Sequence, residues 1–417
     1  MTEEIEAAWM ELKAVVLEEL NLFDEMTDEL VFEVIDNVLK KSKYSKHMSL
    51  NNRCLLRIEL FHSIRKLDVL EKLLKDPDIT EIMINGDKGI FVEREGKLEA
   101  FSEGKISQER IEELAMKITA MSDRIVNEAN PLTDARLGDG SRVHVAVSPV
   151  ALDSPAITIR KFPNNPITLD ELLEKESFNE EIGEFLKMLV RARYNIFISG
   201  STGSGKTTLL NVLSDFIPNE ERIITIEDTA ELQIRNISNL VRLEARTSAV
   251  EGCKEISIRD LLKASLRMRP DRVIVGEVRG AEAVDMLQAF CTGHDGSLST
   301  GHGNNTKDML YRLETMVMMG MDVPAAAVRR QIASGIDILI HLGRLRDKRR
   351  VLLEISEIDG CRDGEILLNP LYRFQELSES KCSKVNGTWI KMGELHHKEK
   401  LLMAGLENDY RLSQVSS

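Results

Sequence analysis

Paired cysteines are missing from this chain: Cys54, Cys253, Cys291, Cys361 and Cys382 are scattered over 417 residues with no C-x-x-C spacing. Neither a zinc site nor a disulfide framework is indicated, and reduced thiols are expected. Aromatic residues make up 5% of the chain, too few for a platform on which single-stranded bases would stack. Positive charge is also scarce. The net charge of −14 argues against broad nucleic-acid binding, which depends on neutralising phosphates. No run approaches the ~20 apolar residues of a membrane helix. The opening MTEEIEAAWMELK is acidic where a signal peptide is basic, so a cytoplasmic protein is expected. What remains is an ordinary globular balance, 42% hydrophobic and 30% charged, in a chain long enough for two or three domains.

Residues 1–68 read as a helical extension, with Trp9, Leu12, Val16 and Leu20, then Leu30, Val34 and Leu39, at helical spacing. Over residues 69–162 the texture changes to short alternating runs, Glu81 to Ile84 and Gly89 to Glu93, around a helical SQERIEELAMKITAMSD. These predict an α+β domain. PNNPITLDELLEK opens a linker and first helix, residues 163–193. Between residues 194 and 375, the β-branched runs YNIFISG, RIITIED, DRVIVGE, GSLSTGH, IDILIHL and RRVLLEISEI alternate with helical stretches. A buried parallel sheet of the α/β class requires that alternation. Residues 376–417 are expected to be a polar tail.

The most specific chemistry is the stretch Gly200, Ser201, Thr202, Gly203, Ser204, Gly205, Lys206, Thr207, followed by Thr208. It satisfies G-x-x-x-x-G-K-[ST] after an apolar run and before a helix. Its glycines allow a sharp turn that aims backbone N–H groups at a polyphosphate. Lys206 would sit on the β and γ phosphates, and Thr207 would place its hydroxyl on Mg²⁺, whose other positions keep water. ATP and Mg²⁺ are therefore the expected cofactors.

Two further strand ends carry acids. RIITIED ends in Glu227 and Asp228, and RVIVGEVRG ends in Gly276 and Glu277. A carboxylate there can orient the attacking water or hold Mg²⁺ through water, and Glu227 and Glu277 are the candidate catalytic acids. The usual first acid of such a strand is replaced by Gly276, which puts direct metal ligation by an acid in question. TGHDGSLSTGHGNN places His294 and His302 around a short strand, without metal-ligand spacing, as phosphate-side sensors or hydrogen-bond donors. His302 is the stronger catalytic candidate and His294 a supporting one, as is Asp228. Arg136, Arg142, Arg160 and Arg279 are candidate phosphate-contacting arginines. A second basic cluster, Arg267, Arg269 and Arg272, has surface salt bridging as its plainer explanation.

The phosphate loop, ITIEDTAEL, LRMRPDRVIVGEVRGAEA, TGHDGSLSTGHGNN and LETMVMMG, in that order, closely resemble the secretion-superfamily ATPases. Within them they resemble the CpaF group of tight-adherence (Tad) pilus assembly ATPases. The likeness spans roughly residues 70–375. It implies a RecA-like ATPase domain behind an amino-terminal domain, with Glu227 and Asp228 in an Asp box and His294 and His302 in a His box. It also implies a homohexamer at the inner face of the cytoplasmic membrane. The implied partners are a polytopic inner-membrane platform protein and, through it, pilin or secreted subunits, with no nucleic acid. A nucleotide-dependent assembly switch and a DNA-transfer motor of a conjugation-type system are the alternatives. Gly301 and Gly303 depart from the family pattern around His302 and suggest a looser loop. The lack of a cysteine tetrad and EDTAEL in place of EDP favour the CpaF branch.

Overall fold

Apolar residues at helical spacing become three packed helices, α1 (Glu3–Leu20), α2 (Asp28–Lys41) and α3 (Leu50–Arg65). Trp9, Leu12, Val16 and Leu20 share one core cluster with Val31, Ile35, Leu56 and Leu60, the burial that holds short helices together. Thr27 starts α2 by accepting the Leu30 N–H on its hydroxyl. The structure, a computed structural model, describes residues 3–20, 27–46, 48–65, 67, 69–94, 97–101, 106–122, 124–162, 166–246, 255–377 and 384–415.

α4 (Leu70–Lys75) leads to β1 (Ile79–Asn85), β2 (Ile90–Arg94), β3 (Lys97–Phe101), α5 (Gln108–Ala120), β4 (Leu132–Arg136), β5 (Arg142–Ala146) and β6 (Ala156–Arg160). The strands form an antiparallel sheet in the order β3-β2-β1-β6-β5-β4. Ile82 and Ile84, Val143 and Val145, and Ile157 and Ile159 share a core with Ile111, Leu114 and Ile118 of α5. Period-two burial on the strands thus meets the apolar stripe of a helix.

The chain divides into two compact units, residues 1–164 and 165–417. The start of the expected linker, residues 163–165, lies outside the described residues. Its helical remainder is not linker in character. α6 (Leu169–Glu174) is followed by α7 (Glu180–Arg191), whose Ile182, Leu186 and Leu189 are fully buried in the core of the second unit.

Beyond α7 the second unit alternates strands and helices: β7 (Ile196–Gly200), α8 (Lys206–Ser214), β8 (Arg222–Glu227), β9 (Asn239–Glu244), α9 (Ile258–Ser265), β10 (Arg272–Val278), α10 (Ala283–Cys291), β11 (Leu298–His302), α11 (Thr306–Gly320), α12 (Ala325–Gly335) and β12 (Ile338–Arg344). It closes with β13 (Arg350–Arg362), β14 (Glu365–Glu376), β15 (Gly387–Lys391), α13 (Glu399–Met403) and α14 (Glu407–Val415). The sheet order is β15-β14-β13-β12-β7-β11-β10-β8-β9. Pairing is parallel from β12 through β9 and antiparallel from β12 to β15. Ile196 to Ile198, Ile223 to Ile226 and Val273 to Val275 are buried without alternation, because helices cover both faces.

Residues 376–417 correct the expectation of a polar tail. β15 extends the sheet beside β14, and Leu395, Leu401 and Tyr410 enter the same core as α7. Tyr194 donates its hydroxyl to His397 O at 2.6 Å, and Tyr410 accepts the Leu395 N–H at 3.0 Å. The polar composition of the segment concealed these few apolar contacts. Arg272 is a second correction. Instead of pairing at the surface, it is fully buried and donates two hydrogen bonds, each 2.7 Å, to the carboxylate of Glu221. Arg267 and Arg269 are exposed. The described cysteines Cys54, Cys291 and Cys361 are free thiols.

Candidate functional site

Open parallel sheets present ligand sites at the carboxyl ends of their strands, and here the motif residues collect at those ends. β7 ends at Gly200, directly opposite His302 at the end of β11. The loop from Gly200 turns through Gly203 (φ +71) and Gly205 (φ +95) into α8, which starts at Lys206. A Cβ at Gly200 would stand 2.6 Å from Leu342 O, so only glycine fits where the loop leaves the sheet. Ser201, Thr202 and Gly203 are exposed, Ser204 and Lys206 are buried, and Thr207 and Thr208 are half-buried at the helix start.

Lys206 Nζ donates to Gly200 O at 3.2 Å and Ser201 O at 3.1 Å, and to His302 Nδ1 at 3.3 Å. Because Nδ1 accepts, the proton of a neutral ring sits on Nε2, which faces Glu277 Oε1 at 2.7 Å. That is a close polar contact without the alignment of a hydrogen bond, since Oε1 has no hydrogen-bond partner. Burial, and then the Lys206 charge, push the His302 pKa down, so the ring is neutral at pH 7. Burial likewise lowers the Lys206 ammonium against the pull of Glu277. Glu277 Oε2 accepts from Arg279 Nε at 3.1 Å and Nη2 at 2.8 Å. Arg279 Nη1 reaches Asp228 at 3.7 Å. One continuous array therefore runs Lys206, His302, Glu277, Arg279, Asp228.

Glu227, expected among the catalytic acids, is tied to the loop that follows its own strand through one oxygen, while its Oε1 is buried without a hydrogen-bond partner. Its Oε2 accepts the backbone N–H groups of Glu231 at 2.6 Å and Leu232 at 2.8 Å. It is 3% exposed, and burial, the largest cause, raises its pKa despite those two hydrogen bonds. Its side chain shapes the loop after β8. It also explains Gly276, because a Cβ there would lie 3.0 Å from Glu227 Cγ. The glycine stands in the acid's usual place because the neighbouring strand fills the space. Gly301 and Gly303 are explained similarly, and they do not loosen the loop. A Cβ at Gly301 would meet Phe197 at 2.8 Å, and one at Gly303 would meet Met309 at 3.1 Å.

His294 is not brought to the phosphate loop of its own chain. It precedes β11, whose first residue Leu298 pairs with Ile196 at the start of β7, while the loop follows the far end at Gly200. The intervening strand spans ~13 Å at ~3.3 Å per residue. His294 Nδ1 instead sits 3.1 Å from Ala289 O at the end of α10. In the first unit, Arg136, Arg142 and Arg160 stand directly opposite one another across β4, β5 and β6. Such a row of like charges costs stability unless acids or a bound anion offset it.

Beside the loop lies a cleft of about 480 Å³ lined by Phe178, Leu342 and Leu352 together with Ser204, Gly205 and Thr208. Lys348, Arg349 and Arg350 also line it, as do Glu174 and Glu176, and none of these belongs to the motifs. The run RLRDKRR from Arg344 to Arg350 was the available signal, a block of cations between two strand patterns. Among the described residues, no three acid, histidine or cysteine side chains form a metal-binding group. No helix among them is long and apolar enough to cross a membrane.

Comparison with known proteins agrees with this geometry. The family described as Type II/IV secretion system protein matches residues 64–387. A putative conjugal transfer protein of Mycobacterium tuberculosis is 33% identical over 294 residues, covering 69% of this chain and 83% of that protein. The type IV secretion system protein PtlH of Bordetella pertussis is 32% identical over 320 residues, covering 70% and 94%. Among solved structures, the pilus retraction motor PilT with bound ADP superposes with a TM-score of 0.51 at 19% identity, covering 84% of this chain and 89% of that one. That likeness is one of fold, with its amino-terminal and RecA-like ATPase domains.

Proposed function

The chain belongs to the type II/IV secretion system protein family, and on that premise we propose that it is an ATP-hydrolysing homohexameric motor. It drives assembly or secretion of type IV-like (Tad/Flp) pilus subunits by acting on a polytopic inner-membrane protein from the cytoplasmic side. The observation that carries this reading is the array from Lys206 to Asp228 beside the phosphate loop. A passive nucleotide switch needs the loop but no water-activating acid.

In this reading the N–H groups at the start of α8 hold the β and γ phosphates, and Lys206 leaves its loop carbonyls for them. Thr207 would hold Mg²⁺ together with water, and Glu277 would reach it through water. When bound, the metal neutralises charge on the phosphates. Glu277 orients the attacking water and accepts its proton. His302, with Nδ1 beside Lys206 and Nε2 beside Glu277, links the phosphate-binding lysine to the water-orienting acid and so senses the γ phosphate. Arg279 holds the Glu277 carboxylate in place, Asp228 holds Arg279, and Glu227 positions the loop after β8. We propose Arg136, Arg142 and Arg160 as phosphate-contacting arginines.

Phosphate release by the full chain, with mass measurement in solution, tests the proposal. A chain that binds ATP without turnover, or stays monomeric when active, would defeat it. The relatives named for conjugal transfer support a second reading, a DNA-transfer motor. DNA-stimulated turnover and measurable DNA binding would favour that reading, and indifference to DNA would favour the pilus motor.

A further inference from the structure

Three cations of the turn between β12 and β13 stand near the phosphate loop, on a cleft whose lining also includes Glu174 and Glu176. Arg344 and Arg350 are directly opposite one another, and Lys348 and Arg350 line the cleft. All three are exposed. Among the described residues none of the three has an ion pair, whereas Arg346 pairs with Glu376, and Arg349 with Asp347 and Glu176. Arg350 also reaches the loop itself: its Nε donates to Gly203 O at 2.9 Å, and its Cδ would lie 3.6 Å from a Cβ on Gly205.

The charge distribution is unfavourable as it stands. Like charges directly opposite on paired strands cost stability, and these add to Lys206 and to the positive end of α8. Five cations fall within residues 344–350 of a chain whose net charge is −14. A polyanion on the loop relieves all of these repulsions together. We infer that Arg350 is a positioning residue for the phosphate loop and that, with Arg344 and Lys348, it forms an outer cationic wall for the bound nucleotide. The inference rests on the reading that the loop takes ATP. In a trans peptide the C=O and the next N–H point opposite ways, so holding Gly203 O sets the path of the loop into α8.

Sheet order separates this wall from the hydrolytic array. β12 and β13 flank β7 on one side, and β11 and β10, which carry His302 and Glu277, flank it on the other. The wall therefore acts on binding, equally for ADP and ATP, and not on the chemical step.

The test uses the full chain. Kd for fluorescent ADP and ATP analogues, KM and kcat are measured for wild type, Arg350→Gln, Arg350→Lys and Arg344→Gln. Arg350→Gln should raise both Kd values and KM by the same factor, ~10-fold for a lost charged hydrogen bond, with kcat within ~2-fold. Arg350→Lys should recover part of the loss, since it restores charge without the fork. Arg344→Gln, which breaks no hydrogen bond to the loop, should weaken both nucleotides by a smaller factor and serves alone if Arg350→Gln does not fold. Unchanged Kd and KM in the folded variants, or a fall in kcat at constant KM, overturns the inference. A wild-type chain that binds neither nucleotide sinks the ATP reading beneath it instead.

Discussion

Glu277 can be tested without disturbing its surroundings, because glutamine keeps its size and still accepts from Arg279. Glu277→Gln should bind ATP normally and lose ~10²-fold or more in kcat, the order of a general base; failure to bind ATP would reassign the residue to folding or metal retention. Lys206→Ala should remove most nucleotide affinity and all turnover, since Lys206 is the cation seated on the loop's own carbonyls beside His302. His302 carries a pH signature. Its pKa lies below the ordinary 6.5, so the neutral ring persists through neutral pH and protonation begins only on acidification. The acid limb of kcat should therefore have its midpoint below 6.5 and should be missing in His302→Ala. A limb that survives the substitution belongs to another group. The same lowered pKa means that the unfolded chain binds the proton more readily, so this residue's contribution to stability is present above its ordinary pKa and is lost as pH falls.

Among the elements, the C-terminal strand and helices make the clearest stability claim. Tyr410 is buried between Phe185 and the Leu395 N–H, and Tyr410→Ala should cost ~3 kcal/mol or more, as buried aromatic truncations do. Thermal unfolding would show it, and an unchanged midpoint would mean that the segment is only loosely attached. At the opposite end of the parallel strands, Arg272→Leu leaves Glu221 without its buried partner and should cost ~3 kcal/mol or more. Both changes spare the phosphate loop, so residual folded protein should still bind nucleotide.

For the whole molecule, the two-unit division makes a fragment from residue 165 onward a fair test of coupling. It contains the loop and the full hydrolytic array, so it should fold and bind nucleotide, but turn over at least ~10-fold more slowly if the first unit's arginines stabilise the transition state. Arg142→Gln or Arg160→Gln in the full chain should reproduce that loss at unchanged unfolding temperature. Full-speed hydrolysis by the fragment would leave those arginines as surface charges.

The sequence by itself determined the phosphate loop, the parallel α/β sheet and the set of acids and histidines at strand ends, because each depends on residues close together in the chain. A Gly-rich turn ahead of Lys206, or an unbroken apolar run such as Ile196 to Ile198, is a local signal. What only the tertiary structure decided is which of those residues meet. His294 and His302 look equivalent in one motif, yet the parallel run of β11 sends them to opposite ends of the sheet. Glu227 and Glu277 look equivalent too, but Glu277 contacts His302 beside the loop, while one Glu227 oxygen is held by two backbone N–H groups and its side chain fills the space over Gly276. Arg350 reaches Gly203 from 147 residues away, and Tyr410 fills a core that begins at α7. Such contacts follow from strand order and close packing, which act between segments remote in the chain and leave no local pattern to read.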